Sequence, residues 1–91
     1  MPDEFFRPQV REGVEYRELD DGAVVYDTSA ERIHTLNLSA AYIWNCCDGA
    51  HNLRDIASEL NQQAHVAMDV AIRDVHDAVA YFQSEGLLRP Q

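Results

Sequence analysis

Two adjacent cysteines and four dispersed histidines are the most reactive side chains in this sequence. Cys46 and Cys47 would point about 100° apart on a helix, so a disulfide between them would be strained. They do not form a CxxC motif, and the histidines that could complete a zinc site lie far apart, at His34, His51, His65 and His76. We therefore expect reduced thiols, with Cys47 in the core and Cys46 on its flank, and no metal site.

Other signatures of catalysis are missing from the sequence. The four glycines are too widely spaced for a phosphate-binding loop, and neither Ser39 nor Ser58 lies in a recognisable motif with histidine. A domain of this size has little room for a closed pocket beside its core. The sequence thus predicts a protein that is not an enzyme and has no cofactor. A redox or metal-binding role for the two cysteines remains an alternative hypothesis.

The charge balance argues against two classes of partner. The chain of 91 residues has 7 basic residues, all arginine, against 16 acidic ones, for a net charge of −9. Such a chain would repel a phosphate backbone and an anionic membrane surface. It has no apolar run long enough to span a membrane and no signal peptide. We expect a cytoplasmic protein without nucleic-acid or membrane partners.

The first half of the chain predicts three short strands joined by tight turns. Apolar and polar residues alternate from Val14, and the turn Asp20-Asp21-Gly22 uses residues that tolerate a positive φ. The predicted strands cover Val14–Leu19, Ala23–Tyr26 and Ile33–Leu36. Residues 1–12 show no period and contain two prolines and the pair Phe5-Phe6. They predict a flexible N-terminal arm, with the aromatic pair able to fold onto the single domain at 13–91.

Helical periodicity begins after the third strand. Asn37 or Ser39 can cap a first helix, Asn52 can cap a second, and Gly49 and Gly86 can end the first and the third helix. The third helix is predicted from about Met68 to Glu85. Each predicted helix has one apolar face. The residues of these faces are, for the first helix, Ala40, Ile43, Trp44 and Cys47; for the second, Leu53, Ile56, Ala57, Leu60 and Ala64; and for the third, Ile72, Val75, Val79 and Phe82. The order β-β-β-α-α-α predicts a winged-helix-like α+β fold, with Trp44 buried.

A winged-helix fold raises the alternative of a DNA-binding transcription regulator, in which the third helix would enter the major groove. The charged residues of that helix are Asp69, Arg73, Asp74, Asp77 and Glu85, four anions and one cation. Because a DNA backbone would repel this helix, the fold is better suited to a peptide-binding module.

The ordered set of motifs resembles the PqqD-like family, the precursor-peptide recognition elements of ribosomal peptide maturation. The resemblance covers about Gly13 to Leu88. The matching segments are Arg32–Asn37, Ser39–Trp44, Cys47–Gly49, Ile56–Leu60, Asp74–Val75 and Glu85–Leu88. It implies three strands and three helices, in agreement with the periodicity. It also implies a non-catalytic chaperone that binds a leader peptide and presents the precursor to a modifying enzyme, often a radical S-adenosylmethionine enzyme.

The resemblance also implies where the leader binds. Members of the family add the leader as a strand beside the third strand, in a groove next to the third helix. Carried onto this chain, the binding residues are Ile33, His34, Thr35, Leu36, Asn37, Arg73, Asp74, Asp77, Ala78 and Tyr81. Ala78 stands where the family often has a large apolar residue, which would widen the groove. His34 alone among the histidines lies on a predicted strand, and we expect it to face solvent. The open strand edge also allows a domain-swapped homodimer.

Overall fold

The computed structural model describes residues 5–90 as three antiparallel strands followed by three helices, which confirms the predicted α+β order. The strands are β1 (Val14–Leu19), β2 (Gly22–Asp27) and β3 (Arg32–Asn37). The helices are α1 (Leu38–Asn45), α2 (Leu53–Ala64) and α3 (Met68–Ser84). None of the described helices is long and apolar enough to cross a membrane.

Among the described residues the sheet has the order β1-β2-β3, so β3 has a neighbouring strand on one side only. A two-residue turn places Leu19 opposite Gly22, and β2 pairs with β3 so that Val25 lies opposite His34. Within that turn only Gly22 has a positive φ, of 155°. A Cβ at Gly22 would collide with the backbone carbonyl of Leu36, so this position requires glycine.

Alternation along the strands separates a covered face from an open one. Val25, His34 and Leu36 are buried on the face that the helices cover, whereas Ile33 and Thr35 are exposed on the opposite face. Helix α1 packs against β2 and β3 on the covered face, and α3 reaches the same face through Tyr81, which contacts His34. The central strand β2 contributes fully buried Ala23 and Val25 to this core.

The helix ends follow the capping signals of the sequence. The Asn37 side chain accepts a hydrogen bond from the amide of Ala40, at 2.8 Å, and begins α1 directly after β3. Asn52 and Asp55 form a reciprocal capping box at the start of α2. Because Asn37 belongs both to β3 and to the cap, the first turn of α1 must lie beside the end of β3.

Trp44 and Phe82 join α1 to α3 inside the core. Trp44 is 5% exposed, which confirms the prediction that it is buried. Its ring meets that of Phe82 edge to face, with the centroids 5.1 Å apart.

Two residues of the predicted apolar faces lie elsewhere. Ala64, at the end of α2, is exposed, and Ile72 of α3 is 43% exposed while the neighbouring Ala71 is completely buried. Helix α3 is therefore rotated relative to the prediction. Ala71, Val75, Val79 and Phe82 form a narrow stripe at helical spacing, and Ile72 lies on its flank.

Part of the segment expected to be a flexible arm is packed against the body. Phe6 is 9% exposed, and its carbonyl accepts a hydrogen bond from the amide of Leu53 at 3.1 Å. Arg11 forms an ion pair with the buried carboxylate of Asp27, with 2.6 Å between Nη2 and Oδ2. Residues 6–11 thus contact the body of the domain through apolar burial, backbone hydrogen bonds and an ion pair. Phe5 remains 65% exposed, and residues 1–4 lie outside the described residues.

Candidate functional site

The open side of β3 carries main-chain groups that no other strand of the described residues meets. The amide of Thr28 donates to the carbonyl of Gly13 at 3.0 Å, which marks these two residues as a hydrogen-bonded pair of the β1–β2 ladder. Bonded and non-bonded pairs alternate along an antiparallel ladder. The groups of β2 that point to β3 are therefore those of Ala23, Val25 and Asp27, and their partners are Leu36, His34 and Arg32.

It follows that the main-chain groups of Ile33 and Thr35 point away from the sheet. Their N–H and C=O groups form an open edge that an extended peptide can complete with backbone hydrogen bonds. The main chain of His34, by contrast, is used inside the sheet. The sequence alone does not show which of the two neighbours, His34 or Thr35, directs its amide to the open edge.

A groove of about 510 Å³ lies between this open edge and helix α3. Leu36, Ile43 and Phe82 give it an apolar floor, since each is at most 4% exposed. The complete lining comes from three elements: Thr35, Leu36 and Asn37 of β3; Ser39, Ala40 and Ile43 of α1; and Asp74, Asp77, Ala78, Tyr81 and Phe82 of α3.

The phase of α3 decides which of its side chains reach the groove. With Val75 and Val79 fully buried in the core, the flank that faces β3 carries Asp74, Asp77, Ala78 and Tyr81. At about 100° per residue, Arg73 lies about 140° around the helix axis from Ala78. The structure accordingly leaves Arg73 exposed and outside the groove.

His34 lies beneath the groove wall and is 5% exposed, so the expectation that it faces solvent is wrong. Strand alternation places it on the same face as Leu36, toward α3. Its Nδ1 lies 2.8 Å from the Tyr81 hydroxyl, and the two rings are T-shaped with centroids 5.8 Å apart. Tyr81 is 43% exposed. The histidine therefore holds Tyr81 in place, and the ring of Tyr81 forms part of the groove wall.

A second set of polar contacts joins the start of β3 to the residue that follows α3. The Glu85 carboxylate lies 3.9 Å from Nδ1 of His34 and 3.7 Å from the guanidinium of Arg32. Together with the His34–Tyr81 contact, this fixes the relative direction of the two elements: the start of β3 lies beside the end of α3.

Seven of the ten residues expected to bind the ligand line the groove: Thr35, Leu36, Asn37, Asp74, Asp77, Ala78 and Tyr81. Ile33 contributes only its main chain to the open edge, because its side chain is 68% exposed on the opposite face. Four lining residues were not anticipated, namely Ser39, Ala40, Ile43 and Phe82. The cap signal at Asn37 could have indicated the three from α1, since it places that helix directly after β3.

Asp74 and Asp77 give the groove its charge. Within residues 5–90 neither carboxylate forms an ion pair, and the groove lining contains no cationic side chain. Asp74 is half-buried, and Asp77 is exposed. The groove therefore combines an apolar floor with two unneutralised negative charges on the wall formed by α3.

The cysteines lie apart from this groove. Burial raises the pKa of the Cys47 thiol to about 12, and its Sγ donates to the carbonyl of Ile43 at 3.2 Å. Burial also raises the pKa of the half-buried Cys46, with further contributions from the carboxylates of Glu59 and Asp48. Both shifts disfavour a nucleophilic thiolate. No group of three or more metal-ligating side chains is found in the part of the chain that the structure describes.

Comparison with known proteins identifies the family to which this chain belongs. The family model described as coenzyme PQQ synthesis protein D (PqqD) matches residues 22–88. The chain belongs to the PqqD family. The matched range includes β2, β3 and all three helices, and so every residue that lines the groove. No curated protein matches the chain significantly.

Two solved structures share the fold of this PqqD-family chain. Lasso peptide synthetase B1, complexed with the leader peptide, is 25% identical; the match covers 93% of this chain and 100% of that one, with a TM-score of 0.79. TbiB1, in complex with the TbiA(beta) leader peptide, is 17% identical over 91% of this chain and 96% of that one, with a TM-score of 0.78. The fold is therefore shared over nearly the whole length of each chain.

Proposed function

We propose that this PqqD-family protein is a non-catalytic binding protein for the leader of a ribosomally synthesised precursor peptide. Two solved structures that share its fold are complexes with leader peptides. The observation that carries the proposal is the groove between β3 and α3, because it lies directly beside an open strand edge. These two features together suit an extended peptide better than a compact ligand.

In the proposed complex the leader adds as a fourth strand to β3. Its main chain pairs with the N–H and C=O groups of Ile33 and Thr35. Alternate side chains of the leader then enter the groove, and those between them lie on the open face of the sheet beside Ile33. Backbone pairing supplies affinity for any extended segment, whereas the groove supplies selectivity.

Ala78 and Tyr81 have distinct roles in this proposal. Ala78 is small and half-buried in the α3 wall, so it leaves room for a bulky apolar side chain of the leader above Leu36 and Phe82. Tyr81 offers an aromatic surface that His34 holds in position. The groove thus recognises shape and apolar character at one leader position.

A binding protein of this kind supports chemistry that another protein performs. We propose that it presents the precursor to a modifying enzyme, with a radical S-adenosylmethionine enzyme as the first candidate. The open edge can also accept a strand from a second copy, so we include a domain-swapped homodimer among the proposed assemblies.

Calorimetric titration tests the proposal, with synthetic peptides made from short open reading frames next to this gene as the leader probes. Ala78→Phe fills the groove, whereas Ala80→Phe adds the same ring at an exposed position of α3 outside it. We expect Ala78→Phe to weaken binding at least tenfold and Ala80→Phe to bind like the wild type. Equal affinity of the two variants, or no binding by the wild-type protein, would contradict the proposal.

The charge of the described part of α3 disfavours the DNA-binding alternative. Helix α3 carries three anions and one cation, with the anion Glu85 directly after it, and two of these anions lie in the groove itself. Fluorescence anisotropy with a labelled duplex at low salt distinguishes the two functions. We expect no binding, and tight, salt-sensitive binding would favour the alternative.

A further inference from the structure

We infer that the groove selects a peptide segment in which a large apolar side chain and a lysine or arginine stand two residues apart. The inference rests on the proposed function and specifies the class of ligand. It combines two features of this chain: the space above Ala78, and the unpaired carboxylates of Asp74 and Asp77.

The apolar position follows from the floor of the groove. Leu36, Ile43 and Phe82 are buried beneath it, and Ala78 has only a methyl group to cover them. An apolar side chain that enters there removes its own surface and part of this floor from water. The groove therefore favours a leucine-sized or aromatic side chain above Ala78.

The cationic position follows from the two carboxylates. Asp74 and Asp77 are three residues apart, so they are neighbours on one helix face and repel each other. Within residues 5–90 no cation pairs with either of them. A cation of the ligand would relieve this repulsion, whereas an acidic ligand side chain would increase it.

The spacing follows from the geometry of a helix beside a strand. Side chains on one face of a strand recur every two residues, about 6.6–6.8 Å, and four residues of a helix rise about 6 Å. Arg32 lies near Glu85 and His34 near Tyr81, so α3 runs antiparallel to β3 along the groove. One two-residue step of the ligand from the position above Ala78 therefore reaches Asp74, whichever way the ligand strand runs.

A phage-displayed library of random 12-residue peptides, selected on the purified protein, tests this inference. The library is also selected on the double variant Asp74→Asn/Asp77→Asn. The control variant is Asp69→Asn, which removes a charge from the same helix at an exposed position outside the groove lining. We expect the wild-type and Asp69→Asn proteins to enrich peptides with an apolar residue and a Lys or Arg two residues apart. The double variant should retain only the apolar preference.

Calorimetry on one selected peptide and its Lys→Gln or Arg→Gln counterpart then measures the coupling. The neutral peptide should bind the wild-type protein about tenfold more weakly, about 1.4 kcal/mol, and should bind the double Asn variant as well as its parent does. Equal binding of both peptides to the wild-type protein would overturn the inference.

The outcome separates this inference from the proposed function. If selected peptides lose binding to Ala78→Phe but show no basic preference, the groove binds peptides and only the inference fails. If no selected peptide depends on Ala78, the proposed function and the inference fail together.

Discussion

Proline substitutions at His34 and Thr35 should have opposite consequences, although the two residues are neighbours. The ladder alternation directs the amide of His34 to Val25 in β2, and that of Thr35 to the open edge. Proline has no N–H to donate. His34→Pro therefore removes a hydrogen bond of the sheet, whereas Thr35→Pro removes one that the ligand would form.

The expected cost of His34→Pro has two parts. The carbonyl of Val25 would be left without its donor inside the sheet, which costs about 1–3 kcal/mol. The substitution also removes the imidazole, whose Nδ1 lies 2.8 Å from the Tyr81 hydroxyl, a further contribution of about 0.5–1.5 kcal/mol. A total of about 1.5–4.5 kcal/mol is a large share of the stability of a small domain.

Urea denaturation and leader-peptide calorimetry together measure both effects. His34→Ala separates the loss of the imidazole from the loss of the amide, and Glu18→Pro is the matched control for Thr35, since its amide faces the other edge of the sheet. We expect Thr35→Pro to unfold within about 1 kcal/mol of the wild type, yet to bind the leader at least tenfold more weakly, about 1.4 kcal/mol. If Thr35→Pro is as unstable as His34→Pro, the assignment of the open edge is wrong.

Three further predictions follow from the core and from the titratable groups. Trp44→Ala should lower the free energy of unfolding by about 3–5 kcal/mol in chemical denaturation, and a loss below about 1 kcal/mol would contradict its place in the core. The hydrogen bond from Arg11 lowers the pKa of Asp27 in the folded state, so its contribution is present above about pH 4 and is lost as the pH falls below that. Urea midpoints between pH 7 and pH 3 should therefore fall less for Asp27→Asn than for the wild type, and parallel profiles would contradict this. Iodoacetamide at pH 8 should modify Cys46 slowly and Cys47 only after unfolding, and rapid modification of Cys47 in the folded protein would show that it is accessible.

The strands and helices were predictable because each is determined by local signals. The turn at Gly22, the caps Asn37 and Asn52 and the terminal Gly86 separate segments of clear period, and the structure places the elements within a few residues of those limits. The burial of His34 could not be predicted from such local signals. A strand of six residues with His at its centre does not show which face the helices will cover.

The phase of α3 shows a different limit of sequence reasoning. Ile72 and Ala71 both fit a helical stripe with Val75 and Val79, and hydrophobicity alone favours the larger residue. In the folded protein the smaller side chain of Ala71 is fully buried and Ile72 is left on the flank. This rotation also decides that Asp74 and Tyr81 line the groove while Arg73 does not.

In the proposed complex a leader peptide adds as a strand to the open edge of β3. Amide hydrogen exchange, followed by NMR with and without the synthetic leader, can detect this addition at each residue. Without ligand the amides of Ile33 and Thr35 should exchange fast and that of His34 slowly, because only the last is bonded inside the sheet. With the leader bound, the amides of Ile33 and Thr35 should become at least tenfold more protected. Binding that leaves these two amides unchanged, or that protects the edge of β1 instead, would contradict the account.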